Sequence, residues 1–109
     1  MKAKRRYVII RCREGPMEPE KILARISEAV ANAFGVVGLA HVNPRLVSRE
    51  PGSLLIVSVN REGLDKLLAA LLISEERSFE IIKVAGTVRR AARILASLSP
   101  AGNECRDER

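Results

Sequence analysis

Tryptophan is absent from the sequence, and Tyr7, Phe34 and Phe79 are its only aromatic residues. A surface that holds nucleic acid mainly by stacking successive bases is therefore excluded, because such surfaces need several rings along one groove. Histidine occurs once, at His41, with no Cys, Asp or Glu near it at a metal-ligand or acid–base spacing. No metal site or proton-transfer pair can be read from it, and it is assigned a structural role. Cysteine occurs twice, at Cys12 and Cys105, without CxxC spacing. The expectation is one buried and one free thiol in a reducing compartment, and no zinc site or disulfide framework. Serine elbow, P-loop and GxGxxG motifs are missing: Gly35, Gly38 and Gly52 are too sparse, and Gly63 sits inside or just before a helix. Catalysis by this chain alone is not expected. Leu67 to Ile73, the longest unbroken apolar run, is far too short to cross a bilayer. The basic start, Met1 to Arg6, leads into an alternating segment and not into the apolar region of an export signal. The expectation is a soluble, cytoplasmic protein with no membrane partner.

Positive charge is what the chain has in plenty. Lys and Arg number 19 against 13 Asp and Glu, for a net charge of +6. Fourteen of the cations are Arg, whose planar fork suits phosphate oxygens. An acidic partner is expected, nucleic acid first. The 109 residues suit one domain, expected over residues 1–98. Residues 99–109 lose all periodicity and gather Pro, Gly, Asn and charges, as a flexible C-terminal tail does.

Alternation of Tyr7, Ile9 and Arg11 with Val8, Ile10 and Cys12 predicts a strand over 5–13, ended by Gly15 and Pro16. Ile22, Leu23, Ile26, Ala29, Val30, Ala33 and Phe34 recur at helical spacing, with Pro19 at the first turn and Gly35 just past the end. The next segment, 36–48, reads as a strand in which Pro44 demands an edge or a bulge. A turn at Glu50, Pro51 and Gly52 precedes the apolar run 53–60. There Leu54 and Ile56 face one way and Leu55, Val57 and Val59 the other, a strand covered on both faces. A leucine helix follows (Leu64, Leu67, Leu68, Leu71, Leu72), then a strand over 79–85 and a helix over 88–98.

The order β-α-β-β-α-β-α predicts an α+β fold: a ferredoxin-like split βαβ sandwich, similar in outline to RNA-recognition motifs. Its four-stranded antiparallel sheet carries two helices on one face, and the additional C-terminal helix is placed to shield the other. RNA-recognition motifs stack bases on aromatic residues of their first and third strands, but the third strand here, SLLIVSVN, has none. Any RNA is thus expected to be held through phosphates and shape.

In GTVRRAARIL, Thr87 is a natural N-cap, and the amides after it are donors at the positive end of a helix. At about 100° per residue, Arg89, Arg90 and Arg93 share one face opposite Val88, Ala91, Leu95 and Leu98. A helix N-terminus with two or three arginines suffices to hold a phosphate; a capped surface helix with solvated arginines is the alternative. Further cations lie at Lys2, Lys4, Arg5 and Arg6, and in loops at Arg45, Arg49 and Arg61.

RRYVIIR, AFGVVGLAHVNPRLV, GSLLIVSVNREGLDKLLAAL and above all VAGTVRRA, in this order from about Arg6 to Leu95, resemble the family of ribonuclease P protein component 2. That family is the small Pop-family subunit of archaeal and eukaryotic ribonuclease P, and the archaeal form is the nearer likeness. VAGTVRRA is similar to its Ser-Gly-Thr-Ile/Val-Arg/Lys signature, with Ala85 in place of the serine.

The resemblance implies a noncatalytic subunit of a tRNA 5′-maturation endoribonuclease, whose RNA removes the 5′ leader of precursor tRNA. The magnesium that the reaction requires belongs to that RNA, and no cofactor is implied for this chain. The implied partners are the ribonuclease P RNA and protein component 3, with self-association into a two-plus-two heterotetramer. It also favours the phosphate reading of Gly86, Thr87, Arg89 and Arg90. With Arg93, Lys4, Arg5, Arg6, Arg45 and Arg49 these form the candidate RNA-binding set.

Two other classes compete. One is a ferredoxin-like regulatory module that binds a small metabolite at a dimer interface through a loop such as FGVVG, expected between the first helix and the second strand. The other is a scaffold whose arginines pair with acidic protein.

Overall fold

The computed structural model describes residues 4–13 and 15–98; the expected tail, Lys2 and Cys105 lie outside them. The elements run β1 (Arg5–Cys12), α1 (Pro19–Val42), β2 (Arg45–Leu46), β3 (Leu54–Asn60), α2 (Leu64–Ser74), β4 (Phe79–Ala85) and α3 (Val88–Leu98). The sheet order is β2-β3-β1-β4 with every pairing antiparallel. This is the expected α+β split βαβ sandwich with its extra C-terminal helix.

One face of the sheet carries α1 and α2. Pro19 begins α1 and has no amide to lose. Ile22, Ile26, Ala29 and Val30, at helical spacing, are buried with Val8, Ile10, Leu55, Val57, Val59, Leu67 and Phe79. Each fully buried Ile, Leu or Val there contributes roughly 1.5–3 kcal/mol. The other strand positions point the opposite way: Ile9, Ile56 and Ala85 are buried under Ala91 of α3, with Tyr7, Val47, Ile82, Ile94 and Leu95 packed around them. The apolar run of β3 is thus covered on both faces, as expected. On α3 the buried stripe is Ala91, Ile94 and Leu95, whereas Val88 and Leu98 are 47% and 39% exposed. Val88 lies at the rim of the stripe and Leu98 in the last turn.

The expected strand over 36–48 is a correction. Only Arg45 and Leu46 pair with β3, and residues 36–42 are helical. Gly35, at φ 74° and ψ −170°, breaks α1, and the helix resumes and ends at Asn43, left-handed at φ 44°. The β-branched Val36 and Val37 that suggested a strand are 81% and 69% exposed. Gly38 and Val42 are buried instead, so packing at helical spacing outweighs the weak β preference of two valines. The FGVVG segment is therefore no loop between helix and strand. By length and composition α1 is apolar enough to cross a bilayer, although it holds no long unbroken apolar run, but here it is interrupted at Gly35 and packs on the sheet. Gly63 ends a 3-10 turn just before α2; a Cβ on it would lie 2.5 Å from the His41 carbonyl oxygen and from Val42 Cα. Only glycine permits that approach of α2 to the end of α1.

Candidate nucleic-acid interface

One row across the sheet organises the site. Arg45 of β2 pairs with Ser58 of β3, Ser58 with Tyr7 of β1, and Tyr7 with Ala85 of β4. Directly paired residues of antiparallel strands point to the same face, here the face of α3. Past Ala85 the chain turns through Gly86 and Thr87 into α3. At this end of the sheet the helix stops covering the strands, and two depressions open beside each other. Lys4, Arg5, Arg6, Tyr7, Gly86, Thr87 and Val88 line the first, of about 410 Å³. Arg5, Tyr7, Arg45, Leu46, Val47, Arg49, Ser58 and Val88 line the second, of about 460 Å³. Arg5, Tyr7 and Val88 belong to both and form the wall between them. Among the described residues no acidic side chain lines either one.

The guanidinium of Arg5 makes four hydrogen bonds within the protein, with four of its five N–H donors. Its Nε donates to Ser58 Oγ at 2.7 Å and Nη1 to Asn60 Oδ1 at 2.8 Å, while Nη2 donates to the carbonyls of Asn43 and Ser58, each at 2.9 Å. Burial first, and then the neighbouring charge of Arg45, lower its pKa from the ordinary value, with Tyr7 opposing; an arginine still keeps its charge at neutral pH. Arg5 joins β1 to β3 and holds the left-handed cap of α1, two residues before Arg45. The sequence placed it among phosphate ligands; the structure gives its fork protein acceptors.

Thr87 caps α3 as expected. Its Oγ1 accepts from the Arg90 N–H at 3.1 Å and its carbonyl from the Ala91 N–H at 3.0 Å. A Cβ on Gly86 would meet only Arg6 Nη1, at 4.0 Å. Space does not demand a glycine, but its missing side chain leaves the first amides of α3 approachable. Ala85, where the resembled signature has serine, is buried beneath α3.

Of the ten candidate residues, the structure gathers Lys4, Arg5, Arg6, Gly86 and Thr87 in the first depression and Arg5, Arg45 and Arg49 in the second. Arg89, Arg90 and Arg93 are not in either wall. They stand exposed on the outer side of α3, and none has an ion pair among the described residues. Other cations are paired: Arg11 and Arg13 share Glu80, and Arg25 binds Glu76 at 3.1 Å. The hydrogen bonds from Arg11 and then Arg13 hold the Glu80 carboxyl below its usual range.

His41 is exposed in the last turn of α1. Cys12 is buried as expected, and burial raises its thiol pKa. Among the described residues no cluster of His, Cys, Asp or Glu could hold a metal. Sequence reasoning missed Tyr7, Ser58, Asn60 and Asn43. Ser58, the one polar residue inside an apolar strand, was the legible signal.

The family model described as Rpp14/Pop5 family matches residues 6–96 of the chain. No curated protein matches it.

Proposed function

Because the chain belongs to the Rpp14/Pop5 family, a family of ribonuclease P protein subunits, we propose that it assists the RNA of that enzyme by neutralising phosphates near the RNA's catalytic core. Fewer magnesium ions are then needed to hold the active fold while the RNA removes the 5′ leader of precursor tRNA. The observation that carries this reading is the basic rim, which no acidic side chain lines among the described residues. Lys4 and Arg6, beside the Gly86–Thr87 turn, and Arg45 and Arg49, far from them in sequence, line two adjoining depressions that share Arg5, Tyr7 and Val88. Arg89, Arg90 and Arg93 extend the positive surface along α3. Such contacts fix position on a nucleic acid without reading sequence, which suits a subunit that assists a folded RNA.

In this reading the metal is the RNA's and the chain binds none. Protein component 3 is the second partner, in a two-plus-two assembly, and it docks on apolar surface. The helical layer, away from the rim, offers Val36, Val37, Leu72 and Ile73, each at least 67% exposed. The place of action is the cytoplasm of an archaeal cell.

The test is precursor-tRNA processing by the ribonuclease P RNA at limiting magnesium, with this protein, with component 3, and with both. Rescue by the pair is expected, and alanine at Arg45 and Arg49, or at Arg89, Arg90 and Arg93, should raise the magnesium requirement. An unchanged requirement in both variants would count against phosphate neutralisation. Roughly three to five phosphate contacts should also give a log–log salt slope of about −2 to −4.5. A flat salt response would favour the metabolite module.

A further inference from the structure

The wall between the two basic depressions is aromatic. Tyr7 is the only aromatic residue on the α3 face, since Phe79 is buried in the opposite core and Phe34 lies on α1. The helix covers Ile9, Ile56 and Ala85 but starts too late to bury Tyr7, which is half-buried and lines both depressions. Its hydroxyl makes no hydrogen bond among the described residues. Strand spacing places Tyr7 one strand, about 5 Å, from Ala85 and two strands, about 10 Å, from Arg45. Cations and free amides thus flank a single ring on both sides, and Arg5, pinned beside it, keeps the second side in place.

We infer that Tyr7 is a platform for one unpaired nucleobase, whose neighbouring phosphates lie in the two depressions: one at Arg6 and the Gly86–Thr87 turn, the other at Arg45 and Arg49. The inference rests on the RNA reading above and narrows its ligand to a single-stranded or bulged nucleotide. A continuous duplex keeps its bases stacked inside and presents no free π-face to a protein ring. One stacked base is compatible with the scarcity of aromatics, because phosphates supply the remaining contacts.

The chain is suited to the test: with one tyrosine and no tryptophan, its intrinsic tyrosine fluorescence reports Tyr7 alone. The full chain is titrated with a short oligouridylate and with a blunt RNA duplex of equal length, and binding is followed independently by anisotropy of labelled RNA. Oligouridylate should quench the emission and the duplex should bind without quenching. Tyr7→Phe should bind oligouridylate as the parent does. Tyr7→Leu, which keeps apolar packing on Ile9, should bind it roughly 5- to 150-fold more weakly, with duplex affinity and salt slope unchanged. Binding without quenching, or a Tyr7→Leu variant that binds oligouridylate like the parent, would overturn the platform and leave phosphate binding standing. If neither RNA binds the parent in a salt-dependent way, the phosphate reading falls and the platform with it.

Discussion

The two faces of the sheet are held by different means. Beneath α1 and α2, fourteen described residues are buried in one cluster that includes Ile22, Ile26, Leu67 and Phe79. Beneath α3 there are four, Ile9, Ile56, Ala85 and Ala91, two of them alanines. The second face is supplemented by polar links, the Arg5 guanidinium and the Thr87 cap. Hydrophobic stabilisation grows with the area removed from water, so the first face sets global stability. The second face, where the positive charge is displayed, is expected to open more easily. Hydrogen exchange should show α3 amides opening at lower free energy than those of α1; equal protection would remove the distinction.

Substitutions sharpen the comparison, beginning with the largest effect. Ile26→Ala, at a site with no exposed surface, should cost about 2–5 kcal/mol in denaturant melts and lower protection throughout the chain. Arg5→Lys should follow at about 1–3 kcal/mol: an ammonium cannot reach four acceptors in different directions, and it leaves part-buried acceptors unsatisfied. If Arg5 positions the rim without binding phosphate, RNA affinity should drop while the salt slope stays constant. By contrast, Arg45→Ala should flatten the slope by about 0.7–0.9. Thr87→Ala should cost about 1 kcal/mol, read as faster exchange confined to α3; a global loss would show that α3 is coupled to the larger core.

The smallest expected effect is electrostatic. The Glu80 pKa is depressed in the folded state, so its contribution to stability is present above the unfolded value, about 4.3, and is lost as pH falls through the folded one. Glu80→Gln should lower the melting temperature slightly at neutral pH, where the contribution is present, and converge with the parent in acid, which flattens the acid limb of the profile. The pairs with Arg11 and Arg13 are exposed, where ion pairs contribute little.

Much of this was legible before any coordinates. The period-2 pattern of β1, the two-faced burial of β3, the Pro19 start of α1 and the Thr87 cap are local signals, and each stands where the pattern put it. Segment 36–42 was misread because two adjacent valines and a glycine look like a strand entry, whereas a single left-handed glycine merely kinks the helix. The rim was legible only as a scatter of cations. Lys4 and Gly86 line one depression and Arg45 the one adjoining it, because β1, β2 and the β4–α3 turn lie along one end of the sheet, and the register that arranges them is not written in any one segment. Arg5 and Arg45 were indistinguishable in sequence. The guanidinium of the first bonds Asn43, Ser58 and Asn60, whereas the second, though paired with Ser58 along the strand, has no side-chain bond among the described residues.

The sequence by itself determined the kind and order of the periodic elements, the excess of arginine and the capped start of α3. Those properties depend on neighbours within a turn or a few strand residues. Only the tertiary structure decided which arginines stay free, where the chain's one tyrosine emerges and which face carries charge. Those depend on partners some 40 to 55 residues away, such as Asn43, Ser58 and Asn60 around Arg5, and so on the closure of the whole sheet.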